Sequence, residues 1–281
     1  MAALGRRRPG LKRPPGGLIV DMDGVLYRGE RPMPGVLEFF SLLRGRPFVL
    51  MTNNSTVSAA DCAAKLGRMG VEVPPSSILT VADATVHYLA GAGLGGSRVL
   101  VLGSPALKAS VAQAGVELVA VGSPADVVVM GLDRDFTYAA LSHAVRLVAG
   151  GAALVATSLD AVLLTEDGAV PGTGALVAAV CACVDATPVC VGKPSPAMFE
   201  MASSLIGVPP QESLVIGDNL ISDIAGGAAA GAHTALLLSG VSQDDFDAAS
   251  DVKPDLVFPG LPELCVYLTE SWGPSGSLGG R

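Results

Sequence analysis

Two carboxylates stand one residue apart at the end of an apolar segment near the start of the chain. Asp21 and Asp23 follow Leu18-Ile19-Val20, a run whose β-branched content is typical of a buried strand. Residues i and i+2 of extended backbone point to the same side, so both carboxylates face one spot. Like charges that close are costly to bury unless a cation or a proton neutralises them. The pair therefore indicates a metal or acid–base site, and the alternative is a solvated strand end with aspartate as turn former.

Three further apolar segments, Phe48–Met51, Val189–Val191 and Leu214–Ile216, also end in polar side chains. The residues that follow them are, in chain order, Thr52, Asn53 and Asn54; Lys193; and Asp218, Asn219 and Asp223. Asn53 and Asn54 also suit a helix cap. The carboxyl ends of parallel strands are where α/β sheets bind ligands. Polar residues at the ends of four strands therefore favour one functional site over four separate structural roles.

The residue types at these strand ends suit a phosphate beside a small hard cation. Mg²⁺ prefers oxygen ligands from one or two carboxylates, with water and substrate phosphate completing six. Lys193 would place a positive charge on phosphoryl oxygens, and Thr52 would donate a hydrogen bond to them together with amide groups around Asn53. Chemistry of this kind consists mainly of positioning and charge neutralisation around an in-line transfer.

Alternating strand and helix patterns along the chain predict an α/β fold with a parallel-sheet core and a second, inserted α/β unit. The gap between the first two motifs is about one βαβ crossover long, so the insertion belongs in the much longer gap before Lys193. The predicted domains are a core of residues 18–82 and 187–272, an insertion of residues 83–186 acting as a lid, and flexible tails at 1–17 and 273–281.

Composition excludes several classes of function. The chain has 281 residues, 50% of them hydrophobic, and a net charge of −8 argues against nucleic acid or an anionic membrane as partner. No apolar run reaches membrane-spanning length, and the basic start of the chain does not resemble a secretory signal. Five scattered cysteines are typical of free thiols in a reducing cytoplasm, and three unpaired histidines make a histidine-based metal site a poor hypothesis.

The motifs DMDGVLYRG, TNNS, GKPSPAMFE and GDNLISDIAGG, in this order and spacing, resemble the four signatures of the haloacid dehalogenase superfamily of phosphatases. The large insertion after TNNS resembles the subclass with an α/β cap of the second type, which includes NagD-like and p-nitrophenyl phosphatase-like enzymes. The cap segments VVVMGLDRDFTY and TSLD…DGAVPGTGAL are similar to that subclass as well. The resemblance covers residues 18–268 and implies a Rossmann-like core that bears this cap.

The resemblance also implies a role for each residue. Asp21 is the nucleophile that becomes an aspartyl phosphate, and Asp23 is the general acid and base. Mg²⁺ takes the side chains of Asp21 and Asp218 and the backbone carbonyl of Asp23. Asp223 and Asn219 lie outside the direct ligands of the metal, and from there Asp223 orients groups around it. The residues that hold the phosphoryl oxygens are Thr52, Asn53, Asn54 and Lys193.

Hydrolysis of a small phosphorylated metabolite in the cytoplasm is the function that this resemblance favours. The candidate substrates are a sugar phosphate, glycerol phosphate, phosphoglycolate or a nucleotide monophosphate. An aspartate at position 23 supplies the acid and base for turnover onto water, whereas ion-pumping relatives have threonine there. The alternatives are a phosphotransferase or mutase, whose cap usually lies between the first two motifs, and a non-catalytic phosphometabolite binder. Caps of this type also suggest a homodimer.

Overall fold

The computed structural model describes residue 11 and residues 13–165, 168–239 and 252–273. Most of the two predicted flexible tails lies outside the described residues. The strands within the described part are β1 Gly17–Asp21, β2 Tyr27–Arg28, β3 Arg31–Pro32, β4 Phe48–Thr52, β5 Ile78–Thr80, β6 Arg98–Leu102, β7 Glu117–Val119, β8 Val127–Met130, β9 Ala153–Ala156, β10 Val162–Thr165, β11 Gly168–Pro171, β12 Val189–Cys190, β13 Ser213–Gly217, β14 His233–Leu237 and β15 Leu256–Phe258.

Helices alternate with these strands along most of the described chain. The α-helices are α1 Val36–Leu42, α2 Ala59–Arg68, α3 Val81–Gly91, α4 Pro105–Val111, α5 Tyr138–Ala149, α6 Thr173–Cys181, α7 Pro196–Ile206, α8 Gly226–Ala229 and α9 Leu261–Trp272. A π-helical turn spans Leu220–Ala225. The predicted α/β class with parallel sheets is confirmed.

The chain forms two compact units. The first comprises Met1–Met51, Lys65–Val73 and Phe199–Arg281, and the second comprises Thr52–Ala64 and Pro74–Met198. These limits differ from the domain limits inferred from the sequence, which stay a prediction. Among the described residues, none of the helices is both long and apolar enough to cross a bilayer.

A parallel sheet in the order β15-β14-β13-β1-β4 forms the centre of the first unit. Strand β1 is buried along its whole length between β13 and β4, with Val20 beside Ile216 on one side and Asp21 beside Met51 on the other. Near-continuous apolar sequence is what a parallel strand needs when both faces of its sheet are covered. This central position places Asp21 at the carboxyl edge of the sheet.

A C-terminal helix closes this first unit against α1. Helix α9 buries Leu261, Leu264, Cys265 and Leu268. Near its end, Trp272 donates its indole N–H to the carbonyl of Pro15, just before β1, while the guanidinium of Arg46 stacks 3.9 Å from the ring centroid. These contacts fasten the segment that enters β1, and β1 in turn presents Asp21.

The second unit contains a parallel sheet in the order β12-β9-β8-β6-β7. Helices α5 and α6 pack against it over a core that includes Leu100, Val128, Leu154 and Val177. An antiparallel hairpin of β10 and β11, absent from the sequence prediction, presents Val162 and Val170 to solvent.

Strand β12 is the main departure from the sequence prediction within this unit. Sequence analysis assigned Val189–Val191 to the core sheet, but Val189 pairs with Val155 and Cys190 with Ala156 of β9. Lys193 therefore follows a strand of the second sheet. A strand of two paired residues is too short to show a periodicity. The sequence pattern therefore could not predict which strand β12 pairs with. All five cysteines lie among the described residues, and none forms a disulfide.

Candidate active site

Three carboxylates of the first unit converge at the carboxyl edge of its sheet. Oxygens of Asp21, Asp218 and Asp223 all lie within 4.8 Å of one another. Asp21 is the last residue of β1, and Asp218 follows the last residue of the neighbouring strand β13. Asp21 and Asp223 are buried, and Asp218 is half-buried. Because buried carboxylates this close repel one another, the cluster requires a cation or bound protons.

A π-helical turn brings Asp223 back to the strand ends. The turn starts after Asn219, whose side-chain oxygen accepts the backbone N–H groups of Ile221 and Ser222, both at 2.9 Å. The backbone N–H of Asn219 donates to Asp223 at 3.1 Å. A β-carbon at Gly217 would overlap Asp223, so only glycine lets the carboxylate lie there. Asn219 thus acts as the cap of the turn that carries Asp223.

Asp23 lies outside the three-carboxylate cluster and is exposed. A tight turn holds it, in which the N–H of Gly24 donates to the carbonyl of Tyr27 at 2.8 Å and the N–H of Leu26 donates to Met22 at 2.8 Å. Gly24 has a φ of +83°, a left-handed conformation that favours glycine. An accessible carboxyl next to the nucleophile candidate suits a group that exchanges protons with substrate and water.

Ser239 supports the same turn, and sequence analysis missed it. Its hydroxyl donates to the carbonyl of Gly24 at 3.0 Å, and its own carbonyl accepts the guanidinium of Arg28 at 2.6 Å. Ser239 comes two residues after the end of β14, so the strand-end rule applied to the other motifs could have found it. A lone serine there is also typical of an ordinary loop, and the signal was therefore weak.

Thr52, the last residue of β4, is buried, and its hydroxyl accepts the backbone N–H of Asn54 at 3.0 Å. A threonine hydroxyl that accepts one such bond still has its own hydrogen to donate. The side-chain oxygen of Asn54 accepts both the N–H and the hydroxyl of Thr56, at 2.9 and 2.6 Å. The asparagine turn that follows Thr52 is therefore built by local side-chain hydrogen bonds.

Lys193 is buried in the second unit, and Asn53 contacts its main chain. The N–H of Lys193 donates to the side-chain oxygen of Asn53 at 2.8 Å, and the side-chain nitrogen of Asn53 donates to the carbonyl of Lys193 at 3.0 Å. Two of the predicted phosphate-binding residues, 140 positions apart, are thus joined directly.

The predicted residues form two sets. Asp21, Asp218 and Asp223 make the acidic cluster, and the role of Asp223 outside the direct metal ligands stays a prediction. Thr52, Asn53, Asn54 and Lys193 belong to the second unit, where Asn53 links to Lys193. The acidic set fits Mg²⁺ by the nature of its donors, since hard carboxylate oxygens within a few ångströms of one another are what this ion selects.

Comparisons with known proteins agree on one family. A model described as haloacid dehalogenase-like hydrolase matches residues 18–117, and a second, HAD-hydrolase-like, matches residues 190–264. The chain is 33% identical to a dihydroxyacetone phosphatase from Corynebacterium glutamicum, over 91% of this chain and 92% of the relative.

Solved structures give the same result. A p-nitrophenyl phosphatase from Archaeoglobus fulgidus superposes with a TM-score of 0.84 at 31% identity, covering 90% of this chain and 99% of the other. A glycerol phosphate phosphatase from Mycobacterium tuberculosis, solved in complex with magnesium, has a TM-score of 0.83 at 32% identity, covering 89% of this chain and 76% of the other.

Proposed function

The chain belongs to the haloacid dehalogenase-like hydrolases and is a phosphatase of that family, and we propose that it hydrolyses a phosphate monoester of a small metabolite with the help of Mg²⁺. The observation that carries this proposal is the cluster of Asp21, Asp218 and Asp223 at the carboxyl edge of a parallel sheet. Relatives named dihydroxyacetone phosphatase, D-glycerol 3-phosphate phosphatase and acid sugar phosphatase support a three-carbon or sugar phosphate as substrate. Phosphoglycolate and nucleotide monophosphates complete the candidate range.

Asp21 is the nucleophile in this proposal. Its carboxylate attacks phosphorus, the bond from phosphorus to the ester oxygen breaks, and an aspartyl phosphate forms. Asp23 donates its proton to the departing alcohol oxygen, so that a neutral alcohol leaves. In the second step a water molecule attacks the phosphorus of the aspartyl phosphate while Asp23 takes one of its protons. Inorganic phosphate leaves, and the carboxylate of Asp21 and the protonated Asp23 are restored.

Side chains of Asp21 and Asp218 and the backbone carbonyl of Asp23 would hold Mg²⁺, and Asp223 lies close enough to bind it or to orient its other ligands. When bound, the ion neutralises the crowded carboxylates and the negative charge of the phosphoryl group. Asp21 must be ionised in order to attack.

The second set of residues supplies the phosphate-binding groups. Lys193 brings a positive charge to the phosphoryl oxygens, and the hydroxyl of Thr52 with the backbone around Asn53 and Asn54 donates hydrogen bonds to them. The inserted domain proposed for residues 83–186 would select the organic part of the substrate. A cytoplasmic location and a homodimer formed through that domain are further parts of the proposal.

The test is release of phosphate from p-nitrophenyl phosphate with Mg²⁺ and with a chelator. Wild-type protein should turn over only with Mg²⁺, and Asp21→Asn should lose activity by a factor on the order of 10³ or more, because an amide cannot act as the nucleophile. Activity that survives both the substitution and chelation would overturn the mechanism. A panel of about a hundred phosphate esters would then identify the substrate.

Two other outcomes of the same experiments correspond to the alternative functions. Saturable binding of phosphate esters with no turnover across the panel would indicate a non-catalytic binder. Label that passes from a sugar phosphate to an added alcohol would indicate a phosphotransferase or mutase, since the aspartyl phosphate would then be attacked by that alcohol instead of water.

A further inference from the structure

The carboxamide of Asn53 pairs with the main chain of Lys193 in the way that two strand residues pair. Its oxygen accepts the Lys193 N–H at 2.8 Å, and its nitrogen donates to the Lys193 carbonyl at 3.0 Å. One such bond would leave the Lys193 backbone free to rotate about it. Two bonds at opposite ends of the residue fix both the position and the direction from which the side chain departs.

The residue before Lys193 is shaped to allow this close approach. A β-carbon at Gly192 would lie 2.6 Å from the side-chain oxygen of Asn53 and would overlap the carbonyl of Thr157. Real β-carbons essentially never come that close to another heavy atom, so a side chain at this position would push Asn53 away. The backbone of Lys193 therefore reaches Asn53 only because residue 192 is glycine.

Asn53 is itself anchored by its neighbours in the chain. Thr52 accepts the N–H of Asn54, and the hydroxyl of Ser55 accepts the N–H of Leu132 at 3.1 Å. The carbonyl of Ser55 accepts the hydroxyl of Ser104 at 2.7 Å. Ser104 and Leu132 follow β6 and β8, so the segment is tied to the carboxyl ends of two strands of the second sheet. The carboxamide is held by an anchored segment and can impose its geometry on Lys193.

We propose that Asn53 is a positioning residue whose side chain acts through Lys193, instead of holding phosphoryl oxygens with its own carboxamide. This inference rests on the proposed function, in which Lys193 binds the phosphoryl group. Asn53 directs the buried lysine to one orientation, and it links the backbone of Lys193 to the residue next to Thr52. Misplacing a binding group by about 1 Å can cost about 100-fold in rate, so the effect of losing this pairing is large enough to measure.

The experiment is a double-mutant cycle of Asn53→Ala and Lys193→Ala, read from kcat/KM for p-nitrophenyl phosphate. Asn53→Ala in the wild-type background should lower kcat/KM by about 10- to 100-fold. In the Lys193→Ala background the same substitution should change kcat/KM by less than about twofold, because the group it positions is gone. Equal losses in the two backgrounds would overturn the inference, since a residue that acts on its own or only supports the fold gives additive effects.

A matched control separates positioning from general destabilisation. Thr137 caps α5 in the same unit, where its hydroxyl accepts the N–H of Ala140 at 3.1 Å. Thr137→Ala removes a side-chain to main-chain hydrogen bond of the same kind, so it should lower the thermal midpoint while kcat/KM stays unchanged. A loss of kcat/KM in Thr137→Ala as large as in Asn53→Ala would attribute both to stability and would contradict the role proposed for Asn53.

Binding of inorganic phosphate, measured by calorimetry with Mg²⁺, keeps this inference separable from the proposed function. If wild-type protein releases no phosphate from any ester, the proposed function fails, and the cycle is read from phosphate binding instead. Asn53→Ala should then weaken phosphate binding in the wild-type background and leave it unchanged in the Lys193→Ala background. Phosphate binding that Asn53→Ala does not alter would overturn the positioning role.

Discussion

Gly24 lies so close to Asp218 that a methyl group on its α-carbon would overlap the carboxylate. The turn after β1 and the strand end after β13 therefore meet at van der Waals distance on the side where the acidic cluster forms. A positive φ of 83° at Gly24 adds a second reason for glycine, since L side chains rarely adopt that conformation. The positive φ and the close approach to Asp218 thus both require glycine at position 24.

Replacing Gly24 with alanine should cost activity beyond its cost in stability. The backbone strain should lower the free energy of unfolding by about 1–2 kcal/mol, and displacement of Asp218 should lower kcat/KM on the order of 100-fold. Gly45→Ala is a matched control, because Gly45 has a φ of +73° and no atom within 4 Å of the built β-carbon. It should show the same loss of stability with kcat/KM unchanged. Equal kcat/KM in the two variants would contradict the role given to the Gly24 contact.

Asp223→Asn should weaken Mg²⁺ binding while keeping the local structure. The amide oxygen can still accept the N–H of Asn219, but one of the three clustered charges is lost. Mg²⁺ at 100 times its Kd stabilises a native protein by about 2.7 kcal/mol, so the thermal midpoint of wild-type protein should rise when Mg²⁺ replaces a chelator. That rise should be smaller in Asp223→Asn at the same Mg²⁺ concentration, and the apparent Mg²⁺ requirement for turnover should increase.

An exposed carboxylate elsewhere serves as the control for this measurement. Asp61 accepts hydrogen bonds from the N–H and hydroxyl of Ser58 at the start of α2. Asp61→Asn should lower the thermal midpoint and leave the Mg²⁺-dependent rise intact. An Mg²⁺-dependent rise in Asp223→Asn that equals that of wild type would exclude Asp223 from the metal site.

Local sequence pattern was sufficient to predict most elements of this fold. Buried parallel strands such as β1 and β8 are continuous apolar runs between turn-forming residues, and the predicted segments Phe48–Met51 and Leu214–Ile216 lie within β4 and β13. Sequence pattern did not show which sheet β12 joins, or that the chain around Leu163 forms a hairpin. Partner choice for short strands depends on tertiary contacts, which a window of a few residues does not contain.

The acidic cluster was more predictable than the support around it. Asp21 and Asp218 end adjacent strands, and the strand-end rule brings such residues together. The position of Asp223 beside the other two carboxylates depends on a π-helical turn, for which the sequence has no established signature. The pairing of Asn53 with Lys193 joins loops 140 residues apart, and composition is silent about which amide hydrogen-bonds to which backbone.

Asp126 should titrate well below an ordinary aspartate. Its carboxylate accepts the Arg98 guanidinium at 2.7 and 3.1 Å and the Arg98 N–H at 2.9 Å, and these bonds lower its pKa from 3.8 to about 2. Because the folded pKa is the lower one, the pair stabilises the fold above pH 4, and this contribution is lost as pH falls towards 2. Carboxyl carbon NMR should give a pKa near 2 in wild-type protein and a value closer to 3.8 in Arg98→Leu. An Asp126 pKa of 3.8 in the native protein would contradict the pairing.

Asn219 should contribute to stability more than to metal binding. Its side-chain oxygen accepts the N–H groups of Ile221 and Ser222, so Asn219→Ala removes a cap and should lower the free energy of unfolding by about 1 kcal/mol. Asn219→Ser keeps an acceptor oxygen and adds no charge, and it should restore most of that loss. In both variants the backbone N–H of residue 219 still donates to Asp223, so the Mg²⁺ requirement for turnover should stay within about twofold of wild type. Denaturant unfolding measures the change in stability, and an Mg²⁺ titration of turnover measures the Mg²⁺ requirement. A rise in Mg²⁺ requirement as large as that of Asp223→Asn would contradict this prediction and would assign Asn219 to the metal site.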